Sequence, residues 1–233
     1  MLRHVVLILT LSLATLAQEV PIEIELVPPP PDLGITFTVE SAPPRSTKPA
    51  WTPPPITCRV CLEMKVDGVC PCLEPLTQAL AQTLLAKVRT AVDAATSGRV
   101  VLKSPIAIRA VSSSRLRQME GEHLLGLYQD GVIWVSDALN RRQAVGVIAH
   151  EVGHAWFFEN RMDVNTPNEM LFEGFAEWVS YLALLEVGDR DAAASIEHTD
   201  QSVYGRGARK LIARHRQEGM AAVLELVLTG RSL

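Results

Sequence analysis

The sequence predicts an α+β protein: a small β-sheet, one helix laid against it that carries the chemistry, then an all-helical C-terminal half. Three observations lead there. Apolar residues recur every fourth position over 76–92, and apolar helical tracts run from about residue 140 onward. Between them, short β-branched and aromatic runs flank Asp130-Gly131, a hairpin-turn signal. Finally, 11 of the 15 prolines lie between Pro21 and Pro55, which places the start of folded structure after about residue 56.

With 233 residues, 48% hydrophobic and 21% charged, the chain can bury one substantial core but is short for two large domains. Its formal net charge of -4 supplies no basic field for a nucleic-acid backbone, so no nucleic-acid partner is expected.

Residues 1–17 read as a signal peptide: Arg3 and His4 precede an uncharged run from Val5 to Ala17, with Ala14 and Ala17 as small residues near the cleavage point. The run is 13 residues, short of the roughly 20 needed to span a bilayer, so an exported protein, secreted or periplasmic, with no membrane span after processing is the expectation. Residues 18–57 form a Pro-rich linker favouring extended polyproline II, a segment that could also mediate protein contacts.

Residues 58–72 hold all four cysteines, Cys58, Cys61, Cys70 and Cys72. Two close pairs around Asp67-Gly68 fit a zinc-ribbon-like clamp, whereas an oxidising compartment favours disulfides. Either way the element is a structural staple, and spacing alone leaves the two readings open.

In the remaining segment, 73–233, Leu76, Leu80, Leu84, Val88 and Val92 mark an amphipathic helix ending before Gly98. Ile106–Val111 reads as a strand, Arg115–Met119 as an irregular link, and Leu124–Tyr128 and Val132–Val135 as two strands of a hairpin. Asp137 or Asn140 can cap a helix running to about Asn160. Thr166-Pro167-Asn168-Glu169 reads as a capping box opening a second long helix that stops at Gly188. Two more helices follow, near 207–217 and 220–228.

The first long helix contains His150-Glu151-Val152-Gly153-His154. At i and i+4 the two imidazoles project from one face and can reach one Zn²⁺ ion, with Glu151 beside it as general base for a zinc-activated water. A third ligand is needed. The next helix offers Glu173 and Glu177 four residues apart, with 18 residues between His154 and Glu173 for the rest of one helix, a turn and the start of the next. Glu173 is assigned as the third metal ligand. Glu177 is assigned the supporting role of accepting a hydrogen bond from the far nitrogen of His150. Three protein ligands leave a position open for water, as in catalytic zinc sites.

These residues resemble the gluzincin metallopeptidases, relatives of thermolysin and aminopeptidase N. More closely, 148–156 and Glu173-Gly174 resemble the DA-one-like family, plant growth regulators in which LIM zinc fingers precede a peptidase domain. Leu116–Val135, with Met119-Glu120-Gly121 and Tyr128, agrees with it, as does Ser202-Val203-Tyr204-Gly205-Arg206-Gly207. The resemblance covers about 73–233 and implies a zincin-like peptidase domain. It also implies that the cysteine cluster is a shortened zinc-finger remnant holding a second, structural zinc. Four cysteines, an export signal and the lack of ubiquitin-interacting segments set this chain apart from the plant proteins' ubiquitin-dependent activation and intracellular substrates.

The expected activity is hydrolysis of a peptide or protein substrate, with Tyr204 favoured over Tyr181, His198 and His215 to hold the developing oxyanion, since Gly205 and Gly207 let the backbone bend and bring its phenol to the cleft. The alternative is a non-catalytic exported zinc-binding interaction module, against which stands Glu151, a carboxylate that metal binding does not require.

Overall fold

A computed structural model describes residues 70–120, 124–161, 168–198 and 202–230. The expected signal peptide and Pro-rich linker, with Cys58 and Cys61, lie outside the described residues, as do Thr166 and Pro167. The fold is mixed α+β, mostly helical with a small three-stranded sheet.

Helix α1 (Gln78–Thr96) carries the four-residue stripe inward, with Leu84, Val88 and Val92 buried, and ends where Ser97 and Gly98 take positive φ. Strand β1 (Ala107–Val111) follows. Its outer edge is covered by the first side chain of α1: Gln78 donates to the Ile108 carbonyl and accepts from the Ala110 N–H, each at 2.9 Å.

The stretch expected to be an irregular link is instead helix α2 (Ser113–Glu120). Ser112 starts it by accepting the Arg115 and Leu116 N–H groups through its carbonyl, and Leu116 alone anchors it in the core. One buried residue among the seven side chains described leaves no periodicity to read.

Strands β2 (Gly126–Gln129) and β3 (Val132–Ser136) form the antiparallel hairpin, turning through Asp130 and Gly131, both at positive φ as a two-residue turn requires. Strand β3 lies centrally, parallel to β1 on its other side, so β2 is an edge strand. One sheet face packs Ile133 and Val135 into the core shared with Val147 and Ile148 of α3 (Arg141–Asn160). Asn140, not Asp137, caps α3, closing a capping box with Gln143.

Helix α4 (Glu169–Glu186) starts two residues later than the expected box. Its cap is Asn168, whose side chain accepts the Leu171 N–H at 3.2 Å. Three helices follow: α5 (Arg190–His198), unforeseen because Ala193 is its one buried residue; α6 (Val203–Glu218); and α7 (Met220–Thr229).

Asp189 joins two of these elements. It is only 2% exposed, accepts the Arg142 guanidinium through both oxygens at 2.6 and 2.7 Å, and takes the Ala192 N–H at the start of α5. Burial opposes its ionisation, yet the Arg142 hydrogen bond, the Ala192 N–H and the Arg142 charge hold the carboxyl below its ordinary value. A lowered carboxyl stabilises above its unfolded pKa and loses that contribution as pH falls through the folded one. Asp189→Asn is expected to destabilise by about 1–3 kcal/mol at pH 7, less than a fully buried pair because Arg142 is partly exposed. Urea unfolding at pH 7 and pH 3 should show the gap between variant and wild type closing in acid, and a gap unchanged by pH would refute this account.

Candidate metal centre

Helix α3 is apolar almost all round from Ala144 to Phe157, so the polar residues inside it are conspicuous: His150, Glu151 and His154 are 2, 3 and 7% exposed. Helix α4 crosses at this level. Gly153, within the histidine motif, has no room for a side chain, since a Cβ there would stand 2.8 Å from the Ala176 Cα. Bare backbone at Gly153 thus lets α4 approach closely enough to bring Glu173 over both histidines.

The Oε2 atom of Glu173 stands 3.4 Å from the His150 Nε2 and 3.5 Å from the His154 Nε2. All three ligand atoms lie within 4.8 Å of one another, so this buried triad could hold a metal ion. Two features fit a metal. Tetrahedral ligands at zinc bond lengths of about 2.0–2.2 Å stand about 3.3–3.6 Å apart, which matches both distances. Glu173 is also fully buried while neither of its oxygens makes a hydrogen bond among the described residues, a costly arrangement for a carboxylate without a cation. Burial works against its charge, but His154 and His150 outweigh it and lower the carboxyl to about 2.

Glu151 is not among the three grouped ligands. Its carboxyl lies under edge strand β2, where it accepts the Tyr128 backbone N–H and packs beneath Gly126. A Cβ at 126 would stand 2.6 Å from the Glu151 Oε1 and 2.7 Å from the Val147 Cγ1. Burial above all, then Glu173 and Glu177, push the Glu151 carboxyl up to about 7 against the opposing pull of His150 and the Tyr128 N–H. Gly126 was not foreseen, although a glycine inside a strand pattern signals such a close approach.

Glu177 lies one turn beyond Glu173, with Oε1 3.7 Å from the His150 Nδ1. That is the expected side of the ring but longer than a hydrogen bond. Burial raises its carboxyl, with His150 opposing.

Of the four candidates for holding an oxyanion, Tyr204 is the one beside a motif histidine, its ring 6.1 Å from that of His150. Burial first, then the surrounding glutamates, raise its phenol, keeping it protonated as a donor. The Tyr181 hydroxyl accepts from Arg216 at 2.9 Å, the His198 Nδ1 lies 2.7 Å from the Ala194 carbonyl, and His215 packs edge-on to Trp178.

Gly205 and Gly207 do not bend the chain as expected. Both lie inside α6, which begins at Val203 with Ser202 capping the Gly205 N–H. Gly207 instead makes a backbone-to-backbone crossing with Gly174, where a Cβ on Gly174 would stand 2.6 Å from the Gly207 Cα. A Cβ on Gly207 would overlap the Met170 carbonyl and the Gly174 Cα. Because the obstacles are backbone, Gly207→Ala is expected to force α6 outward, to destabilise by about 1–3 kcal/mol and to displace Tyr204 one turn away. A thermal melt and turnover equal to wild type would refute the crossing's role.

Cys70 precedes a short 3₁₀ turn, Pro71–Leu73, Cys72 lies within it, and the Cys72 N–H donates to the Cys70 Sγ at 3.4 Å. The strand-like bridge of Pro75 to Asn140 docks this segment beside the α3 cap.

No protein-family model, curated protein or solved structure matches this chain.

Proposed function

We propose that the chain is an exported zinc-dependent metallopeptidase with a zincin-like domain, of the gluzincin kind it resembles. The observation that carries this is the convergence of the His150 Nε2, the His154 Nε2 and the buried, unbonded Glu173 Oε2, with the Glu151 carboxyl on the neighbouring residue held by other contacts and so spare for chemistry.

A Zn²⁺ ion held there would acidify water and polarise a peptide carbonyl. Glu151, close to neutrality in its affinity for a proton, takes the proton from the attacking water and returns it to the leaving amine. Tyr204, kept protonated, donates to the carbonyl oxygen as charge builds on it. Glu177 beside Nδ1 of His150 favours the tautomer whose Nε2 lone pair faces Glu173. Export rests on the apolar run of residues 5–17, and among the described residues no helix is long and apolar enough to cross a membrane.

The test is cleavage of a mixed peptide library by the zinc-loaded full chain, abolished by a chelator and restored by zinc. Tyr204→Phe is expected to lower turnover about 10²-fold with metal retained. A zinc-replete protein that cleaves nothing would leave the non-hydrolytic zinc-binding module as the better account.

A further inference from the structure

An aromatic row leads away from the metal centre. Phe172, the residue before Glu173, stacks on His154 with centroids 4.2 Å apart. Phe158 meets Phe172 edge-on at 5.4 Å, and Tyr128 of edge strand β2 stacks on Phe158 at 6.0 Å. Phe158 follows His154 by four residues, so it extends the metal-facing stripe of α3 by one turn.

The row changes character along its length. Phe172 is buried and steadies the His154 ring, whereas Phe158 leaves 43% of its surface open, although its neighbours Trp156 and Phe157 are buried. Glu159, next to Phe158 along the chain, accepts the Lys103 and Ser104 N–H groups at 2.8 Å each, and the Lys103 Nζ donates to Asn160. The result is an apolar ledge open to solvent at one end and continuous with a metal ligand at the other. One helical turn advances about 5.4 Å, and an extended peptide about 3.3 Å per residue, so a substrate residue one or two places from the scissile bond reaches this ledge.

We propose that Phe158, backed by Tyr128, is a specificity-determining surface that selects a large apolar or aromatic side chain close to the scissile bond. The proposal rests on the peptidase reading above.

Two readouts on the zinc-loaded full chain separate them: kcat/KM on peptides differing only by Phe or Ala at the selected position, and calorimetric binding of zinc-chelating peptide hydroxamates carrying the same two side chains. In Phe158→Ala, cleavage of the Phe peptide and affinity for the Phe hydroxamate are each expected to fall about 10-fold or more, with the Ala ligands changing less than about 3-fold. Phe158→Leu, which keeps apolar bulk, should fall between. Equal losses for Phe and Ala ligands, or no loss, overturn the ledge while leaving the peptidase reading standing. Discrimination in hydroxamate binding without any cleavage keeps the ledge and overturns the peptidase reading.

Discussion

Replacing Glu151 by Gln is expected to reduce peptide turnover by about 10²–10⁴-fold while zinc content stays at the wild-type level. Glutamine fills the same space beneath Gly126 and its carbonyl oxygen can still accept the Tyr128 N–H, so the β2–α3 contact survives. What it lacks is the capacity to take and return a proton. Burial already pushes the carboxyl up to about 7, so removing its charge relieves desolvation, and the variant should be as stable as wild type or more so. The three ligand atoms belong to other residues, which is why metal should be retained. Turnover matched to metal content in both proteins is the measurement. Wild-type turnover in the variant, or metal lost along with activity, would refute Glu151 as general base. Gly126→Val makes the complementary case, since its side chain would strike Glu151 and should impair turnover while the histidines remain in place.

Much of this arrangement was legible because it is written in local spacing. The stripe of Leu84, Val88 and Val92, the hairpin turn at Asp130-Gly131 and the i, i+4 histidines each express a period or a turn demand that neighbouring residues share. Helices α2 and α5 were not legible because each buries essentially one side chain, Leu116 or Ala193, and is held by a cap at Ser112 or Asp189. At the site, Glu173 could be found from its residue type and distance along the chain. Its packing could not: Gly153 against Ala176 and Gly174 against Gly207 are backbone approaches between distant segments, and the glycines of α6 read locally as bends when they are close-packing contacts. The aromatic row was hidden for the same reason, since Tyr128, Phe158 and Phe172 come from three different elements.

Removing the metal is expected to lower the melting temperature of the wild type substantially, and Glu173→Gln to abolish that dependence. At a free-ion concentration about a thousand times its dissociation constant, binding to the native state contributes about 4.1 kcal/mol. A domain of this size shifts about 2–4 °C per kcal/mol, so chelation should lower the midpoint by roughly 8–16 °C. Among the described residues Glu173 is fully buried with both oxygens lacking hydrogen bonds, and His154 and His150 are the groups that offset its burial. The histidines nevertheless hold its carboxyl down at about 2, so metal-free Glu173→Gln loses that pairing and should melt below the metal-free wild type, while gaining nothing from added zinc. The opposite pattern has a definite meaning. If Glu173 were only a structural carboxylate paired with the histidines, zinc would leave the melting of both proteins unchanged. Calorimetric melts of the two proteins, with zinc and with chelator, separate these cases by whether zinc raises the wild-type midpoint and leaves that of the variant where it was.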